Sequence, residues 1–382
     1  MSRRSGVTLI VIGLSLSIGT LLRAQNQTPY KLGTFAQGQR TFVGMVLNDA
    51  QVLDLVAANQ AFEQRNPSLA RIAMPAEMKQ LIAAADNPLK ARLAAIAAAA
   101  APARPAGAME LSGLKTLPPV MPQNILNAAA NYTEHAQEMA GRGGQPATPA
   151  NVPASIPGIW MRKPGDTRQN PYVFPKAVGA VVGNGEPIQL PPGRPQVDWE
   201  CELAVVMGRV ADRVAVENAN DYIFGYTLQN DVSDRGGRAD GRHGSDWFLG
   251  KSHPTFAPLG PFIVPKEFVA DPMKMPIKFV LSGKVMQDSN TDRMTHNVYE
   301  MVSYVTHILR LQPGDIVSTG SPAGVGTARE TPLHEERRYV VVHDWQHRHA
   351  AQPSGGAVNL AGSQLSAISS RLHSYQLSAR SW

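Results

Sequence analysis

Asp198-Trp199-Glu200-Cys201-Glu202-Leu203-Ala204-Val205-Val206-Met207-Gly208 lies near the middle of the 382-residue chain. Its apolar run has strand length, and successive side chains of a strand point to opposite faces. Glu200 and Glu202 therefore share one face, with Cys201 and Leu203 on the other. Two like charges side by side in an apolar strand are costly unless neutralised, and a cation is the simplest answer. A second apolar run, Gly225-Tyr226-Thr227-Leu228-Gln229-Asn230, ends in acids at Asp231 and Asp234. Carboxylates such as Glu200, Glu202 and Asp231, without a well-placed Cys or His, favour a hard, oxygen-seeking ion. Mg²⁺ or Mn²⁺ is expected, with Ca²⁺ as the outlying choice. The Glu-x-Glu pattern alone also fits a solvated strand face, so the reading depends on its surroundings.

Outward from this strand, Gly and Pro punctuate further short β-rich runs: GAVVG, YIFGYTLQND, GPFIVP and IKFVLSG. They lack the regular β–α alternation of a doubly wound sheet. One amphipathic helix is expected over 298–309 after Thr295-His296-Asn297, with Met301, Tyr304, Val305 and Ile308 on its apolar face. Upstream, KLGTF, RTFVGMVLND and QVLDLV read as strands, with a hairpin at Asn48-Asp49. Residues 57–100 switch to helical spacing and run into an Ala/Pro linker at 97–105. The expected organisation is a small N-terminal α+β domain over 28–122 and a larger, strand-dominated domain from 123.

The net charge of +6 is concentrated at the two ends, in Arg3, Arg4 and Arg23 and in the arginines after 333. The body is almost neutral, so no basic stripe remains for a phosphate backbone, and nucleic acid is excluded as a partner. The lone cysteine, Cys201, excludes a disulfide framework and a Cys-based zinc site. Residues 1–24 read as an export signal: Arg3-Arg4, an uncharged run from Gly6 to Leu22, then Ala24 before a polar stretch. The run is short and rich in Gly, Ser and Thr for a membrane span. It implies a periplasmic or secreted protein with no stable span after cleavage, or a cytoplasmic one if the start codon is misplaced.

Several motifs in one order resemble the fumarylacetoacetate hydrolase family. They are Asn131-Tyr132-Thr133-Glu134-His135-Ala136-Gln137-Glu138-Met139, the Glu200/Glu202 strand, NDVSDR at 230–235 and Gly250-Lys251-Ser252 before PTFAPLGPFIVP. Gln287 with Thr291 and Met294 follows, then PGDIVSTGSPAGVG at 313–326. The resemblance implies an α+β fold, a mixed β-roll catalytic domain over 123–333 preceded by an accessory α+β domain. It implies Glu200, Glu202 and Asp231 as metal carboxylates and His135 with Glu138 as a helix-borne catalytic pair. Lys251 falls where relatives keep a lysine near the substrate oxygens. Thr319, Gly320 and Ser321 match a turn that can hold a carboxylate or enolate oxygen, and Arg235 and Gln287 are further candidate substrate contacts. The implied enzyme is a metal-dependent hydrolase, a homodimer, cleaving a carbon–carbon bond in acylpyruvates or other 2-oxo and 2,4-dioxo carboxylates. Two alternatives stay open: a lyase, decarboxylase or keto–enol isomerase of the same family, and an inactive carboxylate-binding protein.

The family pattern holds up to Arg329. Relatives continue with further strands, whereas this chain places five of its ten His after residue 333. Moving the reading frame by one nucleotide near residue 333 lets the codons of 344–352 spell Ile-Gly-Asn-Ile-Gly-Thr-Leu-Arg-Asn, a family-like ending. Residues 334–382 are therefore expected to be a divergent, frame-shifted tail that packs weakly.

Overall fold

The computed structural model describes residues 27–101, 105–140, 156–194, 196–236, 239–240, 244–281, 283–326 and 339–340. Asn48 and Asp49 both adopt left-handed backbone, with φ of 51° and 54°. Asn and Asp tolerate that region because their short polar side chains bond locally. They close the expected hairpin between β2 (Arg40–Leu47) and β3 (Gln51–Asp54), with Leu47 opposite Gln51. β1 (Lys31–Gln37), β4 (Met109–Glu110) and β5 (Lys115–Leu117) complete a five-stranded sheet in the order β4-β3-β2-β1-β5. Asp54 ends β3 and caps α1 (Leu55–Arg65), its side chain accepting from the Val56 and Ala57 amides. The helical stretch is divided into α1, α2 (Met78–Ala83) and α3 (Asn87–Ala100). Pro67 and Pro75 stand in the first gap, where each removes a donor and disfavours helix in the residue before it.

A six-stranded sheet carries the second half. Its members are β6 (Ile125–Ala129), β7 (Tyr172–Lys176), β8 (Cys201–Met207), β9 (Ile223–Asn230), β10 (Val264–Pro265) and, later in the chain, Ile316–Ser318. Two further strands, β11 (Pro276–Leu281) and β12 (Lys284–Asn290), form a separate hairpin, so Ile316–Ser318 is β13. The order is β10-β9-β8-β13-β6-β7, with β13 and β6 parallel and every other pair antiparallel. The buried Asp315 carboxylate pins that parallel pair. It accepts from the amides of Gln123, Asn124 and Gln312 and from Asn124 Nδ2, each at 2.9 Å. The fold is α+β, as the sequence implies.

One hydrophobic cluster runs from Leu32, Leu81 and Leu93 in the first half to Ala204, Phe256 and Phe279 in the second. A second cluster packs the helix α6, described below as Val298–Thr306, against Leu203, Val205 and Met207 of β8. That helix starts on a capping box between Asn297 and Glu300 and stops at Thr306, a turn earlier than expected. Met301, Tyr304 and Val305 are buried, but Ile308 lies past the end and is exposed, which corrects its placement on the apolar face. Tyr339–Val340 pairs antiparallel with β11, Val340 opposite Val280. The rest of the expected frame-shifted tail and the expected export signal lie outside the described residues.

Candidate active site

The concave face of the six-stranded sheet gathers the acids. Asp231 lies just past β9 and its amide donates to the Glu200 carbonyl at 2.7 Å, while Glu202 sits in β8 opposite Gln229. Glu200, Glu202 and Asp231 are all buried, and one carboxylate oxygen from each lies within 4.8 Å of the others. From the far edge of the sheet, Lys176 of β7 reaches in to pair with Asp231 and to donate to the Val232 carbonyl at 2.9 Å. That contact requires the sheet to curl until β7 faces the end of β9, which is the roll that encloses the site.

Three cations flank this cluster. Lys251, at the end of α5 (Trp247–Lys251), places Nζ 2.5 Å from both Glu200 Oε2 and Asp231 Oδ2. Arg235 reaches Glu200 Oε1 at 2.6 Å and Asp198 Oδ2 at 3.0 Å. Glu202 differs: its Oε2 accepts from neutral donors, the Gly320 amide at 3.0 Å and Asn127 Nδ2 at 3.4 Å. Burial raises the Glu200 pKa, but Arg235, Lys251 and His135 outweigh it and hold the carboxyl well below the usual range. Glu202 is pushed up to about 8 by burial, then by Asp231 and Glu200. Burial also lowers Lys176 to about 8, against the pull of Asp231.

With every carboxyl ionised and His135 neutral, Asp198, Glu200, Glu202 and Asp231 outnumber Lys176, Lys251 and Arg235 by one charge, a state the metal-free site resists because Glu202 keeps its proton up to about pH 8. An all-oxygen donor set with surplus negative charge, and with one carboxylate lacking a cation in hydrogen-bond contact, fits a divalent hard ion. With such an ion the cluster would be positive by one, which suits an anionic ligand.

The helix α4 (Thr133–Ala140) brings the imidazole to this cluster. Residues three apart share a helix face, and His135 Nδ1 lies 3.3 Å from Glu138 Oε2 while Nε2 lies 3.5 Å from Glu200 Oε1. Burial disfavours the charged ring, yet Glu138 and Glu200 raise its pKa to about 9. Asn131 anchors the start of the helix, donating to the carbonyls of His296 (2.9 Å) and Thr319 (2.8 Å) and accepting from the His296 amide (2.8 Å). The Gly324 amide holds Glu138 from the other side, 3.1 and 3.2 Å from its two carboxylate oxygens.

The expected substrate contacts bond mainly to the protein itself. Gln287 accepts from the Cys201 amide at 3.0 Å and donates to Ser321 Oγ and the Pro322 carbonyl, both at 2.8 Å. Thr319 donates through both its amide and its hydroxyl to the Leu203 carbonyl, at 2.9 and 2.8 Å. Gly320 serves Glu202. The turn therefore positions Glu202 and Glu138 for the site. Lys176 and Asn127 have no place in the sequence motifs, and Asp198 and Asn131 stand in them without an assigned role. No local spacing ties them to the acids, and for Lys176 the only cue was a lysine ending an otherwise apolar strand.

A family model described as fumarylacetoacetate (FAA) hydrolase, C-terminal, matches residues 124–355, running past Arg329 where the sequence pattern stops. The mitochondrial oxaloacetate tautomerase FAHD2A of Bos taurus is 37% identical over 216 residues, covering 56% of this chain and 61% of that protein. The chain therefore spans about three-fifths of the length of the curated relatives it matches first. Among solved structures, maleylpyruvate hydrolase from Sphingobium sp. SYK-6, in complex with manganese(II) and pyruvate, is 26% identical. It has a TM-score of 0.57 and covers 82% of this chain and 95% of its own. Fumarylacetoacetate hydrolase from Exiguobacterium antarcticum shares the fold at 23% identity and a TM-score of 0.59, covering 83% and 96%. The expected periplasmic or secreted address is corrected by these findings, because the two bovine oxaloacetate tautomerases that the chain resembles are mitochondrial proteins. Among the described residues no helix is long and apolar enough to cross a membrane.

Proposed function

The chain belongs to the fumarylacetoacetate hydrolase family, and from that premise we propose a metal-dependent hydrolase that cleaves a carbon–carbon bond in acylpyruvates or related 2,4-dioxo acids. The observation that carries the reading is the convergence of Glu200, Glu202 and Asp231, with the His135–Glu138 pair on one side and Lys251 on the other. The three carboxylates would hold Mg²⁺ or Mn²⁺. When bound, such an ion stabilises the negative charge that develops on a 2-oxo group as the neighbouring bond breaks. His135 would take the proton of the attacking water at Nε2, with Glu138 fixing its tautomer through Nδ1. An ion held by Glu200 would weaken the pull of that carboxylate on His135, and the ring would move toward the neutral form that a base requires. Arg235 and Gln287 act as positioning residues, Arg235 by orienting Glu200 and Gln287 by tying the β8 entrance to the Ser321 turn. A homodimer belongs to the same proposal.

A second reading, keto–enol tautomerisation of a 2-oxo dicarboxylate, is favoured by the 37% identity to an oxaloacetate tautomerase. It uses the same charges and the same imidazole but needs no water. One experiment separates the two. Full-length protein with Mn²⁺ is given an acylpyruvate and, separately, enol-oxaloacetate, and both the enol absorbance and released pyruvate are measured. Equimolar pyruvate and free acid supports hydrolysis. Accelerated equilibration of oxaloacetate without pyruvate from the acylpyruvate overturns it in favour of the second reading. Activity undiminished in Glu200→Ala would overturn both.

A further inference from the structure

The strand that delivers Lys176 also carries a row of aromatic rings. Alternate residues of a strand share a face, so Tyr172, Phe174 and Lys176 line up on β7. Phe174 lies directly opposite Asn127, whose side chain reaches Glu202, so this is the concave, acid-bearing face of the sheet. Moving out from Lys176 the row passes from buried Phe174 to Tyr172, which is 54% exposed. Trp247 packs over both rings, its centroid 4.8 Å from Phe174 and 5.4 Å from Tyr172. Lys251 Nζ, the ammonium that meets Glu200 and Asp231, lies 5.0 Å from the Phe174 centroid and 5.8 Å from that of Trp247. The rings therefore begin at the charge cluster and lead to solvent.

We propose that Phe174, Trp247 and Tyr172 form the wall that reads the distal, acyl end of the substrate, and that they select a planar apolar group, an aromatic ring above all. This rests on the function proposed above, in which the carboxylate end is held at the acidic cluster. At a strand rise of about 3.3 Å per residue, Phe174 stands ~7 Å along β7 from Lys176. That separation suits a four-carbon dioxo acid carrying a ring at its far end. A second carboxylate there is poorly served, because Lys251, the cation over these rings, is already paired with Glu200 and Asp231. π-faces favour offset or edge contacts with another ring over a hydrated anion.

The test uses full-length protein loaded with Mn²⁺ and two ligands that cannot be cleaved, 2-oxo-4-phenylbutanoate and 2-oxobutanoate, titrated by calorimetry. The phenyl ligand is expected to bind at least about tenfold more tightly. Trp247→Ala and, independently, Tyr172→Ser at the exposed end of the row should each shrink that ratio. Equal affinities in the wild-type protein, or a preference surviving both substitutions, would overturn the wall. Binding of neither ligand would instead refute the underlying functional reading, and the wall with it. Binding is read rather than turnover, so the test needs no assumption about which bond reacts, and a preference for the phenyl ligand would count against the dicarboxylate of the tautomerase reading.

Discussion

Glu202→Gln should make the metal-free protein more stable at neutral and mildly alkaline pH. The carboxyl is buried, its Oε2 accepts from the Gly320 amide and Asn127, and its pKa is raised from 4.5 to about 8. A carboxyl whose folded pKa lies above its unfolded value binds its proton more tightly when folded. Its contribution is therefore most favourable below about pH 4.5 and is lost as pH climbs through 8. At about 1.4 kcal/mol per unit, the full window is worth on the order of 5 kcal/mol. The glutamine keeps the shape and an acceptor oxygen but removes the charge. His135, raised to about 9, also lowers stability between pH 6.5 and 9, but it does so in both proteins and cancels in the difference. The assay is urea unfolding, with EDTA, at pH 5, 6.5 and 8. The two proteins should converge at the acid end, with the variant pulling ahead by a few kcal/mol at pH 8. Adding Mn²⁺ should then stabilise the wild type strongly, through binding to the native state alone, and the variant much less. Parallel stability curves from pH 5 to 8, or equal stabilisation by Mn²⁺, would refute the charge-surplus account of the site.

His135→Ala should remove turnover while keeping the affinity for a 2-oxo acid, measured by calorimetry with Mn²⁺, because the acidic cluster and not the imidazole is assigned the ligand. Asp315→Ala leaves four donors without their shared acceptor and should cost about 3–5 kcal/mol in urea unfolding, since bonds to a buried charge are the expensive ones to break. Gly324→Ala should both destabilise the fold and cut turnover roughly tenfold or more. Gly324 has φ of +103°, an added Cβ would stand 2.1 Å from the Met286 carbonyl, and its amide holds Glu138. Light scattering on the purified full chain checks the proposed homodimer, for which two protomer masses are expected.

Features set by neighbours in the chain were legible from the sequence alone. The two-residue period placed Glu200 and Glu202 together, the family resemblance picked out His135 and Glu138 at a spacing that shares one helix face, and Asn48-Asp49 marked its hairpin. Such features depend on local backbone geometry, which a short stretch of residues dictates by itself. The helix beginning at Asn297 was legible too, although its end was not, because where the last turn stops depends on what packs beneath it. Other features needed the whole roll. Lys176 and Asp231 are 55 residues apart in sequence and meet only because the sheet curls. Gln287 looks in sequence like a ligand contact, yet both ends of its amide are taken by Cys201 and the Ser321 turn. Gly320 read as part of a substrate-binding turn, and tertiary contact made it the holder of Glu202, as it made Gly324 the holder of Glu138. A polar group's partner is decided by which segments arrive beside it once burial removes water as the alternative, and that is a property of packing, not of spacing.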